Sequence, residues 1–349
     1  MAKYKLEDIC EFITDGTHQT PEYCENGGVM FLSSKDVTDR RINWDKVKYI
    51  PDALHEKLYK RLSPKKNDIL LAKNGTTGVA AIVDRNVVFD VYVSLAVLRP
   101  LETIYPKYLL YAINSPVAKR QFDAGLKGIG VPNLHLGVIR NTIINIVSWE
   151  EQEKICKILD KVTILIDERK KELQLLDDLI KARFVEMFYD KGYSVLKWHD
   201  VFNTTTGKLD SNAATEDGKY PFFTCSKEML RIDKFAFDQE ALLLAGNNAA
   251  GKYDVKYYNG KFNAYQRTYV LGLKEDWSYQ LFRYQLEDKL IYLQQQSLGG
   301  LTKYLTMKIL GELDFIIPPI DKQIEFENFV RQVNKSKVVV FNLSYYYNK

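Results

Sequence analysis

The sequence predicts an α+β protein built twice: two similar mixed domains, separated and followed by long helices that form an antiparallel coiled coil, in a pseudo-two-fold duplication. Three observations carry this. Six blocks of the first half return in the same order in the second. From Glu150 to about Phe188 there is no Pro or Gly, and one apolar seam persists throughout. Each half closes by passing from an apolar strand-like run through a turn into a helix. The expected boundaries are 1–149 for the first domain and 150–189 for the central helix. The second domain should span 190–319 and the C-terminal helix 320–349.

The opening KLEDICEFITDG (Lys5–Gly16) returns as LKWHDVFNTTTG (Leu196–Gly207). Next comes a Gly-led apolar stretch ending in Ser-Lys, GGVMFLSSK (Gly27–Lys35) and then GKYPFFTCSK (Gly218–Lys227). NDILLAKNGTTG (Asn67–Gly78) corresponds to EALLLAGNNAAG (Glu240–Gly251), an offset of 173 residues. Their short continuous apolar runs, ending at Gly-containing turns, read as buried strands. VVFDVYVSLAVL (Val87–Leu98) returns as GKFNAYQRTYVL (Gly260–Leu271). Within these, VYVSLAVLRP and YQRTYVLGL are rich in β-branched and aromatic residues and read as strands. PKYLLYAINSPVAKRQFD and WSYQLFRYQLEDKLIYLQQQ carry apolar residues at helical steps of three and four. GIGVPNLHLGVI (Gly128–Ile139) then aligns with GGLTKYLTMKIL (Gly299–Leu310), and INIVSWEEQEKI (Ile144–Ile155) with FIIPPIDKQIEF (Phe315–Phe326). The repeat is too long for a solenoid unit and describes a duplicated domain-plus-helix.

The central helix seam includes Leu159, Val162, Ile166, Leu173, Leu176 and Ile180, spaced as a heptad and about five repeats long. The second helix continues with Phe326, Val330, Val333 and Val340, interrupted by Lys337. Two arrangements suit these seams. The helices pair within one chain, antiparallel because a whole domain intervenes, or each pairs with another chain. In either case the helix is a spacer, at about 1.5 Å per residue.

Composition bounds the function. An apolar fraction of 46% and a charged fraction of 27% are those of a globular chain of two domains. No run of about eighteen apolar residues suggests a membrane span, and MAKYKLEDICEF lacks the apolar core of a signal peptide. Cys10, Cys24, Cys156 and Cys225 form no C-x-x-C pair, which argues against a zinc site and a disulfide framework and fits a cytoplasmic location. The net charge is +4. Residues 150–190 carry eight basic and eleven acidic side chains, so the positive excess lies outside the central helix. Most of it falls in 1–149, with twenty basic and sixteen acidic residues. This permits nucleic-acid binding without requiring it.

Catalytic motifs are not evident. GNNAAGKY (Gly246–Tyr253) approaches a phosphate loop, but Tyr253 lacks the small hydroxyl that holds Mg²⁺, and YDVKYYNGKF does not read as the helix that should follow. It is expected to be a tight turn after a strand. His18, His55, His135 and His199 are scattered, so no metal is expected. IPPI (Ile317–Ile320) is a turn into the last helix and not an aminomethyltransferase tetrapeptide. The chain is therefore expected to be no enzyme.

Side chains that read base edges and grip phosphates gather at the repeat's turns. In the first half they are Ser34 and Lys35, then Lys73, Asn74, Thr76 and Thr77, then Asn133 and His135. In the second they are Ser226 and Lys227, Asn247, Asn248 and Lys252, Gln266 and Arg267, then Lys303 and Tyr304. Any one cluster suits a solvated loop. Their recurrence at matched positions in two divergent copies points to a shared binding surface.

On the blocks NDILLAKNGTTGVAAIV, PKYLLYAINSP and IGVPNLHLGVI, and on the helix beginning EEQEKICKILDKV, the chain resembles the specificity subunits of type I restriction–modification systems over essentially its whole length. The resemblance implies two target-recognition domains, each reading one half of a split, asymmetric double-stranded DNA target, with the helical spacer setting the gap between halves. It also implies that methyltransferase subunits, two of them, dock on the helices and bring S-adenosylmethionine, which this chain does not bind itself. Restriction subunits, a motor-nuclease, would join them; no membrane is involved. The second helix is shorter and ends in SYYYNK, a departure that bears on the docking of one methyltransferase subunit. The alternative is a coiled-coil interaction scaffold that binds no DNA, or an inactive copy of a specificity subunit.

Overall fold

The computed structural model describes residues 2–25, 27–126, 132–249, 251–300 and 302–347, with side chains as far as Lys337. Residues Gly128–Val131 of the expected turn phrase, Ala250 of the Gly246–Tyr253 turn and the side chain of Val340 lie outside the described residues. The chain divides into two compact units, Met1–Leu165 and Ile166–Lys349.

In the first unit, β1 (Ala2–Lys5) leads into β2 (Cys10–Asp15), β3 (Val29–Leu32), and the short pair β4 (Val37–Thr38) and β5 (Arg41–Ile42). Then come β6 (Lys48–Ile50), helix α1 (Asp52–Arg61), β7 (Ile69–Ala72), β8 (Ala80–Ile82), β9 (Phe89–Val91) and β10 (Leu95–Pro100). Helices α2 (Pro106–Ile113), α3 (Pro116–Gly125) and α4 (Leu136–Asn141) precede β11 (Ile143–Ile146) and the long α5 (Trp149–Phe188). The central sheet has the order β2-β10-β7-β8, antiparallel throughout. Strand β3 lies between β6 and β9, parallel to β9, while β1 closes on β11.

The run Ile69–Ala72 is apolar at every position because β7 is covered on both faces. Ile69 and Leu71 face α2 and α3 with Leu109, Ile113 and Phe122, whereas Leu70 and Ala72 face Leu32, Val37, Phe89 and Val97. Successive side chains point to opposite sides of a strand, so a strand between two cores has no position for a polar residue.

The second unit repeats this plan. Its elements are β12 (Ser194–Lys197), α6 (Trp198–Val201), β13 (Phe202–Thr206), β14 (Tyr220–Phe223), β15 (Leu230–Ile232), β16 (Phe237–Ala245) and β17 (Asn247–Asn248). They continue with β18 (Val255–Ala264), β19 (Thr268–Leu273), α7 (Tyr279–Asp288), α8 (Leu290–Gln296), β20 (Lys303–Tyr304), α9 (Met307–Gly311), β21 (Asp314–Ile317) and α10 (Ile320–Tyr347). The sheet order β13-β19-β16-β18 matches β2-β10-β7-β8, and β14 joins β18 in parallel as β3 joins β9. Strand β12 closes on β21 as β1 does on β11.

Two readings of local structure change. PKYLLYAINSPVAKRQFD is two helices, because Ser115 caps a new start with Pro116 in its first turn, and WSYQLFRYQLEDKLIYLQQQ is likewise two, α7 and α8, divided at Lys289. VYVSLAVLRP and YQRTYVLGL are not continuous strands. The first contains the end of β9, a turn at 92–94 and all of β10; in the second, residues 265–267 turn ahead of β19.

Each long helix opens on a buried glutamine. Gln152 Oε1 accepts from the Tyr105 backbone N–H (2.9 Å) and its Nε2 donates to the Val147 carbonyl (3.0 Å). Gln323 does the same with Ser278 (3.0 Å) and Pro318 (2.8 Å). Tyr105 and Ser278 precede the first turns of α2 and α7, so each glutamine satisfies a helix-start donor that burial would otherwise leave unpaired. In the second unit, the end of α5 packs on α10 through Ile180, Met187, Phe188, Phe326, Val330 and Val333. Arg183 pairs with Glu325 (2.7 Å) and Asp177 with Lys337, in opposed sequence order, so these segments run antiparallel. Leu176 borders this cluster, while Leu159, Val162, Ile166 and Leu173 are half-buried along α5. Among the described residues no helix is long and apolar enough to cross a membrane.

Candidate nucleic-acid interface

In each unit the turns singled out in the sequence meet at one end of the central sheet. The meeting is built from the backbone. After β2 and β13 the chain passes so close to a neighbouring strand that a Cβ at Gly16 would overlap the carbonyl of Val91, and one at Gly207 that of Ala264. Glycine is required at both places by this approach. Thr17 then bridges Tyr92 in parallel, as Leu209 bridges Tyr265. The Val93 N–H donates to the Thr17 carbonyl, and the Gln266 N–H to that of Leu209, both at 2.9 Å.

The turn after β7 is tied in the same way. Lys73 N–H donates to Ser94 O and Gly246 N–H to Arg267 O, both at 2.8 Å. Leu134 N–H donates to Lys73 O (2.7 Å) and Leu305 N–H to Gly246 O (2.8 Å). These last bonds hold the shared turn phrase against the strand ends, and the leucine side chain is buried in both units, which brings its polar neighbours there. Asn133 and His135 flank Leu134; Lys303 and Tyr304 precede Leu305 and lie on β20, paired with Asn248 and Asn247 of β17.

The individual side chains divide into three groups. Lys35, Thr76, His135, Ser226, Lys227, Lys252, Gln266, Arg267 and Tyr304 are exposed. Asn74, Thr77, Asn133, Asn247, Asn248 and Lys303 are half-buried. Ser34 and Lys73 are buried, each only 7% exposed, and the structure takes them out of the solvent-facing set. The Lys73 ammonium is engaged by the Asp15 carboxylate; Ser34 Oγ donates to Asn74 Oδ1 (3.1 Å), and the Ser34 N–H to Ser94 Oγ (2.9 Å). An apolar strand end that must carry a charge at this depth needs a partner, and Asp15 supplies it. Thr76 Oγ1 donates to the Val37 carbonyl (3.0 Å), and Lys252 N–H to Asn248 Oδ1 (3.2 Å). Gln266 Nε2 donates to Asp210 Oδ2 (3.2 Å). The Tyr269 hydroxyl, which donates to the Leu305 carbonyl (3.1 Å), is raised from its ordinary value by burial, with Arg267 opposing.

Two side chains at these ends were not singled out in the sequence. His18 stands 73% exposed beside Asp15 (3.3 Å), and Lys208 is exposed on the matching turn of the second unit. The available signal was the glycine that ends the first repeat block, since a turn lies immediately beyond it. After β16 the chain passes through β17 to β18; among the described residues no helix lies between them, and Tyr253 is buried. Among the described residues no group of three His, Cys, Asp or Glu is arranged to hold a metal. The surface offers hydroxyl, amide and cationic groups on closely tied loops, which suits hydrogen bonding to a polar, anionic partner.

A family model described as type I restriction modification DNA specificity domain matches residues 1–176 and 190–337. The type I restriction enzyme EcoDI specificity subunit of Escherichia coli is 35% identical over 145 residues, covering 40% of this chain and 31% of that protein. The MjaVIII specificity subunit of Methanocaldococcus jannaschii is 26% identical over 180 residues, covering 50% and 42%. The aligned stretches thus span less than half of each of these two relatives. The fold of the type I restriction–modification S subunit from M. genitalium superimposes with a TM-score of 0.58 at 14% identity, covering 99% of this chain and 92% of that one.

Proposed function

This chain belongs to the type I restriction–modification DNA specificity family, and from that premise we propose that it is the non-catalytic subunit that reads a split DNA target. Each unit reads one half of the target with the loops at its sheet end: Lys35, Asn74, Thr76, Thr77, Asn133 and His135 in the first. In the second they are Ser226, Lys227, Asn247, Asn248, Lys252, Gln266, Arg267, Lys303 and Tyr304. Methyltransferase subunits, two of them, dock on the long helices and supply S-adenosylmethionine and the chemistry, and restriction subunits join that assembly. The helical segments 150–189 and 320–349 set the gap between the half-sites.

The observation that carries the reading is the recurrence, in two units of divergent sequence, of one backbone scaffold whose loop side chains differ. The anchors Gly16 and Gly207, and Leu134 and Leu305, are kept, while Thr76 faces Ala249 in the alignment and Lys73 faces Gly246. A shared frame with different donors and acceptors is what two distinct base sequences require. The test is genome-wide mapping of methylated adenine in cells carrying this gene with the neighbouring methyltransferase gene, against deletion of this gene. A split asymmetric motif that vanishes on deletion is expected. Unchanged methylation would identify an inactive copy or a scaffold instead.

A further inference from the structure

Resting on that reading, we propose that the two units grip DNA unequally: the second supplies most of the phosphate contacts, and the first recognises its half-site mainly with neutral side chains. The comparison is between matched segments of the two scaffolds. In the first unit these are residues 15–18, 33–36, 73–79, 92–94 and 132–135, and their net charge is zero. Their cations are Lys35 and Lys73, and Lys73 is buried on Asp15. The corresponding segments of the second unit are 206–210, 224–227, 246–252, 265–267 and 303–306, with a net charge of +4. Lys208, Lys227, Lys252 and Arg267 are exposed and Lys303 is half-buried. Among the described residues none of the five makes an ion pair.

Four of the five cations sit on loops and Lys303 on β20, and these segments are bonded to one another. Lys208 adjoins Leu209, whose carbonyl receives the Gln266 N–H next to Arg267. The Arg267 carbonyl accepts from Gly246 N–H and from Cys225 Sγ (3.4 Å), two residues before Lys227. Lys303 pairs with Asn248, and its side chain borders Gly251, the neighbour of Lys252. A cation with no carboxylate partner displaces a counterion when it meets a phosphate; one already paired, such as Lys73, does not. The count over whole domains points the other way, since the excess in 1–149 exceeds that in the rest of the chain. Only the placement of charge reveals the asymmetry.

The experiment measures affinity of the full chain, assembled with its methyltransferase subunits, for a random-sequence duplex of about 40 base pairs across a salt series. Each phosphate neutralised contributes about −0.9 to the slope of log K against log salt. The variant K252Q/R267Q/K303Q is expected to flatten the slope by about three. The first-unit variant Lys35→Gln, combined with His18→Gln and His135→Gln, is expected to change it by about one at most. Lys303 lies on the short strand β20 and the other five positions on turns and loops, none of them in the cores, and equal melting temperatures check that folding is intact. Equal flattening by the two variants, or none by the second-unit variant, overturns the asymmetry while leaving DNA reading intact. Absence of any salt-dependent duplex binding by the unaltered complex overturns the DNA-reading function, and the asymmetry with it.

Discussion

Lys73 shows how a residue type can point to one role and its surroundings assign another. In the sequence it stands in a polar turn and resembles a phosphate ligand. In the fold it closes a strand buried on both faces, and its ammonium meets Asp15 with both side chains under one-tenth exposed. Removing one member of such a pair strands a charge in a poorly solvated place. Lys73→Met is therefore expected to cost about 3–5 kcal/mol of stability. Asp15→Asn in the same chain should restore part of it, giving a coupling of about 1 kcal/mol or more in a urea double-mutant cycle. The DNA salt slope of the double variant should match that of the unaltered complex. A lower slope would return Lys73 to the phosphate-binding set.

At the scale of elements, the glutamine of each helix opening has a role that no helical pattern displays. Its register is visible in EEQEKI and DKQIEF, but its partners, the starts of α2 and α7, lie more than forty residues upstream. Another tie joins α2 to α5: the Tyr111 hydroxyl donates to Asp160 Oδ1 at 2.6 Å, beside the Lys107–Asp160 ion pair (2.7 Å). Burial first, and the bond to Asp160 second, push the Tyr111 phenol up from 10.0 to about 12. Between those values the folded chain retains a proton that the unfolded chain has released. The contribution of Tyr111 to stability is thus fully present below about pH 10 and is lost as the pH rises towards 12. In urea unfolding, the unaltered chain should lose more stability between about pH 8 and pH 11 than Tyr111→Phe does. Equal losses would show that the pair does not survive in solution.

At the scale of the molecule, duplication separates what is shared from what varies. The sheet order, the parallel bridges after the glycines and the glutamine-capped helices recur in both units; the loop side chains do not. If each unit reads one half-site independently, replacing residues 190–319 with the corresponding segment of another family member should alter one half of the methylated motif and keep the other. Adenine-methylation mapping reads this directly. A change in both halves would mean that the loops of the two units read the target jointly.

The duplicated α+β plan, the long helices and the general position of the polar turns were legible in the amino-acid order, because periodicity and internal repetition are local properties of a chain. The buried strands declared themselves through Ile69–Ala72 and Ala241–Ala245, since a strand covered on both faces admits few polar residues. What the tertiary structure decided was which polar residues remain available. Asp15 and Lys73 are 58 residues apart, and their pairing exists only once β2, β10 and β7 have assembled. The turns at 92–94 and 265–267 likewise hid inside β-prone sequence, because intrinsic preference there is overruled by the close passage of the chain at Gly16 and Gly207. Charge and hydrogen-bonding capacity are written in the sequence; whether they face solvent or one another depends on contacts between distant segments.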